Sequence, residues 1–114
     1  MKDLRMYFLV NKDLEISKGK LAGQVGHAAN VLTYKLCKTN DKTIEEYMQG
    51  QIKKIILACP QVKLEALEQE GFITIRDNGL TELEPGTLTC LTIGILDKNE
   101  IPESLKFIKR LRVY

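Results

Sequence analysis

The chain has 114 residues, 44% of them hydrophobic and 28% charged, with a formal net charge of +2. That is enough for one core and ordinary for a globular protein; no apolar run is long enough to span a bilayer, and the first residues lack the apolar h-region of a signal peptide. Cys37, Cys59 and Cys90 are odd in number and have no C-x-x-C spacing, which argues against a disulfide framework or a zinc site and suits a reducing cytoplasm.

Residues 5–11, RMYFLVN, make a continuous apolar run rich in strand formers and predict a buried central strand. Residues 18–38 follow as a long helix, with Ser17 as a candidate N-cap. TIEEYMQ, 43–49, predicts a short helix capped by Thr43, with Glu46 completing a capping box. KKIILAC, 53–59, is a second buried strand, stopped by Pro60. Residues 61–70 then predict a helix with Val62, Leu64 and Leu67 as core contacts and Gly71 as its stop. FITIR, 72–76, is a third strand, and Asp77-Asn-Gly79 and Pro85-Gly86 are turn signals. LTCLTIGIL, 88–96, is a fourth strand, with Thr87, Thr89 and Thr92 read as β formers. A terminal helix over 102–111 carries Leu105 and Ile108. Strands alternating with helices predict an α/β layered protein with a partly parallel sheet. The short link between the third and fourth strands favours an antiparallel pair there, so the sheet is mixed. No repeat or linker divides the chain, and residues 1–114 read as a single domain.

The long helix is unusual. Leu21, Val25, Ala28, Leu32 and Leu36 make its apolar stripe, while Lys20, Gln24 and His27 form a polar row beside it, within an arc of about 60°. The remaining arc carries Ala22, Gly23, Gly26, Ala29 and Asn30, with no charge. A glycine costs about 1 kcal/mol against alanine in a helix interior, so two of them call for a reason, and close approach of another surface is the usual one. Lys20 is also a cation at the end of the helix where the dipole favours anions. Taken singly, His27 is a histidine at the edge of a core and Lys20 a solvated residue. Together the row has the composition of an anion or polar-ligand site.

Three segments, KGKLAGQVGHAA (18–29), IRDNGLTELEPGTLTCLTIGI (75–95) and the terminal LRVY (111–114), together resemble the type 2 peptidyl-tRNA hydrolases, and the likeness covers essentially the whole chain. The resemblance implies a three-layer α/β/α fold with a mixed four-stranded sheet, often dimeric. It implies an enzyme that hydrolyses the ester between a peptide and tRNA, recycling prematurely released peptidyl-tRNA in the cytoplasm. The family's functional lysine falls at Lys20, its aspartate and threonine at Asp77 and Thr81, and its helix glutamine and histidine at Gln24 and His27. Four positions depart from the family pattern: Gly23 stands for alanine, Asn78 for a small residue, Ile95 for proline and Tyr47 for tryptophan. None removes a reacting group, and Asn78 adds an amide beside Asp77.

Ester hydrolysis needs a positioned water and a stabilised oxyanion. Asp77 at a strand end is placed to orient or deprotonate the water, and Thr81 offers a hydroxyl to the water, the ester or the aspartate. Lys20 could serve the oxyanion or a phosphate, or fix Asp77 by pairing with it. Lys18, Gln24, His27, Asn78 and Gly79 complete the site as residues that bind or position substrate. The simpler readings are that Asp77 makes an Asx-turn with Gly79 and that Thr81 is a strand-edge residue. Residues 1–64 carry 11 Lys/Arg against 6 Asp/Glu, and residues 65–114 carry 6 against 9. On charge alone this is solvated surface, but an RNA substrate makes Lys18, Lys20, Lys35, Lys38, Lys53 and Lys54 candidate phosphate contacts. One histidine and scattered carboxylates make no metal-ligand set, so no metal and no organic cofactor are expected. The expected partners are peptidyl-tRNA and a second copy of the chain in a homodimer, with no membrane. The competing readings are a non-catalytic RNA-binding module on the same fold and a small-molecule hydrolase.

Overall fold

In the computed structural model residues 2–80 and 82–114 are described; Met1 and Thr81, the latter among the expected catalytic residues, lie outside the described residues. The sheet has the order β2-β1-β4-β3, with β1 at Leu4–Asn11, β2 at Lys53–Cys59, β3 at Ile73–Arg76 and β4 at Leu88–Asp97. β1 and β2 are parallel and are joined by the long crossover that such a pair needs, here α1 (Lys18–Lys38) and α2 (Lys42–Gln49). α3 (Gln61–Gln69) links β2 to β3, and β4 runs antiparallel to both β1 and β3.

Side chains alternate along a strand, and β1 uses both directions. Met6, Phe8 and Val10 pack with Val25, Ala28 and Leu32 of α1 and with Ile44 and Tyr47 of α2. Tyr7 and Leu9 face the opposite layer, with Leu64 and Leu67 of α3 and Leu105 and Ile108 of a 3₁₀ helix at Glu103–Arg110. Covering on both faces is why β1 reads as an unbroken apolar run. The result is the α/β/α sandwich with a mixed four-stranded sheet that the resemblance implies. The terminal LRVY covers the outer edge of β2 over residues 56–58: Ala58 N–H donates to Arg112 O at 2.8 Å and Tyr114 N–H to Ile56 O at 2.9 Å. That stretch of the edge no longer offers its backbone to another chain.

The strand directions put the ends of β1, β2 and β3 and the start of β4 on one edge of the sheet. Buried Asn11 ties this edge together: its amide donates to Leu88 O at 2.9 Å and to Gln61 Oε1 at 3.1 Å. The N-terminus of α1 arrives at the same edge.

Several details differ from the sequence reading. α2 is capped by Asp41, which accepts from the Thr43 N–H at 2.8 Å; Thr43 is inside the helix, and Glu46 pairs with Lys2 at 3.3 Å, so the expected capping box is not made. Val62 is 76% exposed, because α3 turns only the Leu64 and Leu67 side inward. The C-terminal helix is 3₁₀ rather than α, with Leu105 and Ile108 eclipsed on one face as i and i+3 are in that geometry. Thr87 precedes β4, where its hydroxyl donates to Glu84 O at 2.6 Å and stabilises the turn. A Cβ added at Gly23 or Gly26 meets nothing within 4 Å, so no packing within the described residues accounts for these glycines.

Candidate active site

β3 and β4 stay paired one step beyond their ends: Asp77 N–H donates to Thr87 O at 2.9 Å, and Gly86 N–H donates to Asp77 O at 2.7 Å. The residues between them form a loop closed at its neck, with Asp77 as the hinge. Gly79 closes the neck further. Its φ is +76°, and a Cβ there would lie 2.5 Å from Pro85 Cγ, so both backbone conformation and space exclude a side chain.

The Asp77 carboxylate does two things at once. Oδ2 accepts from the Gly79 N–H at 2.8 Å, which is the Asx-turn. Oδ1 pairs with Lys20 Nζ at 2.5 Å. The Asx-turn and the pairing with Lys20 are thus both realised, one on each oxygen. Its side chain is 3% exposed, and that of Lys20 is 16% exposed. The hydrogen bond from Lys20 is the main reason the Asp77 carboxyl lies below its ordinary 3.8; burial opposes it, and the Gly79 N–H adds to it. Lys20 is thus a cation at a helix N-terminus with a buried anion set beside it, which offsets its unfavourable place in the dipole.

Gln24, one turn along α1, is half-buried and anchored to the sheet by Thr89 Oγ1, which lies 2.7 Å from its Oε1 and 3.0 Å from Ile75 O. His27 and Asn78 are exposed, and the Lys20–Asp77 pair is held without either. Gly79 contributes its backbone to Asp77. Lys18 is exposed and shares with Lys54 a cavity of about 350 Å³ whose floor includes Leu21, Gly26 and Ala29. The other lysines are dispersed: Lys53 pairs with Asp3 at 2.9 Å, and Lys38 lies 5.2 Å from the Tyr34 ring centre. Sequence reasoning missed two links. One is the Gln24–Thr89 bond, hidden because threonine is a common strand residue. The other is Glu82, which binds Ser17; its signal was the absence of any acid in the first turn of α1.

The three cysteines are free thiols, with Cys59 and Cys90 buried. Desolvation pushes the Cys90 thiol up to about 11, so it stays protonated and acts as packing beneath α1. Among the described residues no three His, Cys, Asp or Glu side chains gather as a metal site, and no helix is long and apolar enough to cross a membrane.

The fold and site define an α/β protein with a buried lysine–aspartate pair at the carboxyl edge of its sheet, where open sheets of this type bind ligands. Residues 4–111 match the family described as peptidyl-tRNA hydrolase PTH2, and the chain belongs to that family. It is 40% identical over 105 residues to a protein of Methanopyrus kandleri named peptidyl-tRNA hydrolase, covering 85% of this chain and 89% of that one. Proteins of the same name from Thermoplasma volcanium and Saccharolobus islandicus are 37% and 36% identical, over 80% and 86% of this chain and 84% and 91% of theirs.

Proposed function

We infer that this protein hydrolyses the ester bond between a peptide, or an N-blocked amino acid, and tRNA, and so recycles prematurely released peptidyl-tRNA. Family membership and the shared name of relatives matched over most of their length support the reaction. The observation that carries the site is the Lys20–Asp77 pair, buried at the carboxyl edge of the sheet and beside the loop that contains Thr81.

In this reading the substrate is an activated ester, so the protein positions water and stabilises charge. Each carboxylate oxygen of Asp77 has a second lone pair, and one of these receives the attacking water. Held ionised by Lys20, Asp77 is a weak base at neutral pH; orienting the water is the larger part of its work, and it takes the proton as the tetrahedral intermediate forms. The Lys20 ammonium has three N–H donors, one of them engaged by Asp77, and offers the others to the developing oxyanion. Thr81 supplies a hydroxyl to the water or the ester, and the proton that Asp77 took from the water passes to the departing ribose oxygen as the intermediate collapses. Gln24 and His27 position the substrate along α1, with Asn78 and Gly79 at the loop. Lys18 and Lys54 meet backbone phosphates, in a shape-based recognition that suits an enzyme accepting many tRNAs. We further propose that residues 1–114 act as one domain, in the cytoplasm, as a homodimer; the uncharged small-residue face of α1 supports the last point.

The test is turnover of a purified N-blocked aminoacyl-tRNA. Cleavage is expected in wild type and at a rate lowered at least about 100-fold in Asp77→Ala. Tight tRNA binding without cleavage would instead establish a binding module. Equal activity on simple esters, independent of RNA and salt, would establish a small-molecule hydrolase.

A further inference from the structure

Glu82 stands outside the catalytic set proposed above, yet it joins the two halves of the site. Its Oε1 accepts from the Ser17 hydroxyl at 2.6 Å and its Oε2 from the Ser17 N–H at 3.0 Å. The Ser17 hydroxyl oxygen in turn accepts from the Lys20 N–H at 3.2 Å. One carboxylate therefore grips both donors of the residue that caps α1, and relays through it to the backbone of Lys20. α1 has no acidic residue in its own first turn, so Glu82 supplies from another segment the negative charge that a helix N-terminus favours. The bonds from Ser17 hold the Glu82 carboxyl below its ordinary value; Lys20 adds to this and Asp77 opposes it.

The place of this contact along the loop matters. Among the described residues, the bonds from Asp77 to Thr87, Gly86 to Asp77, Arg76 to Gly86 and Gly79 to Asp77, and the Lys20–Asp77 pair, hold the loop at its neck. Glu82 lies near the middle of the loop and directly follows Thr81 in the chain. Without it, the loop would be held to α1 only at its neck, through the Lys20–Asp77 pair.

We propose that Glu82 is a positioning residue for the hydrolysis: by clasping Ser17 it holds the loop between Asp77 and Thr87 in register with the N-terminus of α1. The clasp matters for rate because the reacting groups come from both sides of it, and a shift of about 1 Å in such a group can cost up to ~100-fold in turnover. This rests on the reading of Lys20 and Asp77 as the reacting centre.

The experiment measures kcat and KM on N-blocked aminoacyl-tRNA, with thermal melts, for wild type, Glu82→Ala, Glu82→Gln, Ser17→Ala, the Ser17→Ala/Glu82→Ala double variant and Asp77→Ala. Glu82→Ala is expected to lower kcat about 10- to 100-fold, with KM within about threefold and little change in Tm, since Glu82 is exposed. Glu82→Gln keeps the length and one acceptor oxygen and recovers much of the loss. In the Ser17→Ala background Glu82→Ala costs several-fold less than in wild type, because the two residues act as one contact. Cleavage by wild type and its loss in Asp77→Ala verify the underlying site in the same assay. With those in place, kcat of Glu82→Ala within about twofold of wild type, or additive effects in the double variant, overturns the clasp alone. A loss of kcat that merely follows unfolding in the melts overturns it as well.

Discussion

Asp77 and Asp3 are both carboxylates held below their ordinary range by cations, at opposite edges of the same sheet. Asp3 has two cations: Arg5 reaches it at 2.9 Å and 3.2 Å, and Lys53 at 2.9 Å. It also holds the chain, with its N–H on Asp97 Oδ1 and its carbonyl accepting from Lys98. Its side chain is 25% exposed. Asp77 is almost fully buried, with one ammonium and one backbone N–H on its oxygens. The first arrangement surrounds a carboxylate with more positive charge than it needs and fastens the start of β1 to β2 and β4. The second engages each Asp77 oxygen once among the described residues, at the carboxyl edge of the sheet. An ion pair is thus read by what its members can still bind, more than by its length.

The comparison is broken most directly at the two aspartates. Asp77→Ala is expected to lower single-turnover cleavage by about 10²- to 10⁴-fold, and Lys20→Ala by about 10²- to 10³-fold, with tRNA binding changed far less. Near wild-type rates in both would remove the pair from the chemistry. Gly79→Ala tests the loop geometry that fixes Asp77. A positive φ and a 2.5 Å approach to Pro85 predict a loss of about 1–3 kcal/mol in denaturant unfolding, together with reduced turnover. Asp3→Asn should leave turnover within about twofold and lower Tm by only a few degrees, as loss of a partly exposed ion pair does. A large catalytic loss there would erase the contrast between the two edges.

The pH profile sharpens the same contrast. Asp77 folds with its carboxyl below the ordinary 3.8, so its contribution is complete above that value and is lost as pH falls through the folded value. The same sign holds for Asp3, also lowered from 3.8. Turnover should therefore show no acid limb from Asp77 between about pH 5 and pH 8. An acid limb near pH ~6.5, the range of imidazole, would count against Asp77 as the group that holds the water.

Much of this was legible in the residues. The 3.6-residue stripe of α1 marked its core face, and Val25, Ala28 and Leu32 are indeed the buried ones. Lys20 was a cation where the helix dipole favours anions, and the family resemblance made it a site residue. The cap of α2 was less legible, because Asp41 and Thr43 are both good caps two residues apart, and only backbone geometry chooses between them. Val62 was misread because apolar character says nothing about which side of a short helix meets the sheet. In the C-terminal helix, Leu105 and Ile108 are three apart and share a face in α and 3₁₀ geometry alike.

The sequence by itself determined the layered α/β class and the small-residue helix, because periodicity and turn chemistry are local; the residue types of the site came through the resemblance to the type 2 peptidyl-tRNA hydrolases. Only the tertiary structure decided that Lys20 and Asp77 meet as a buried pair, that one oxygen of Asp77 is committed to the turn, and that Glu82 reaches back to Ser17. Those contacts join residues far apart in the chain, and they exist because the antiparallel β3–β4 pair returns its loop to the edge where α1 begins. Local preference cannot encode such a meeting; strand order and direction do.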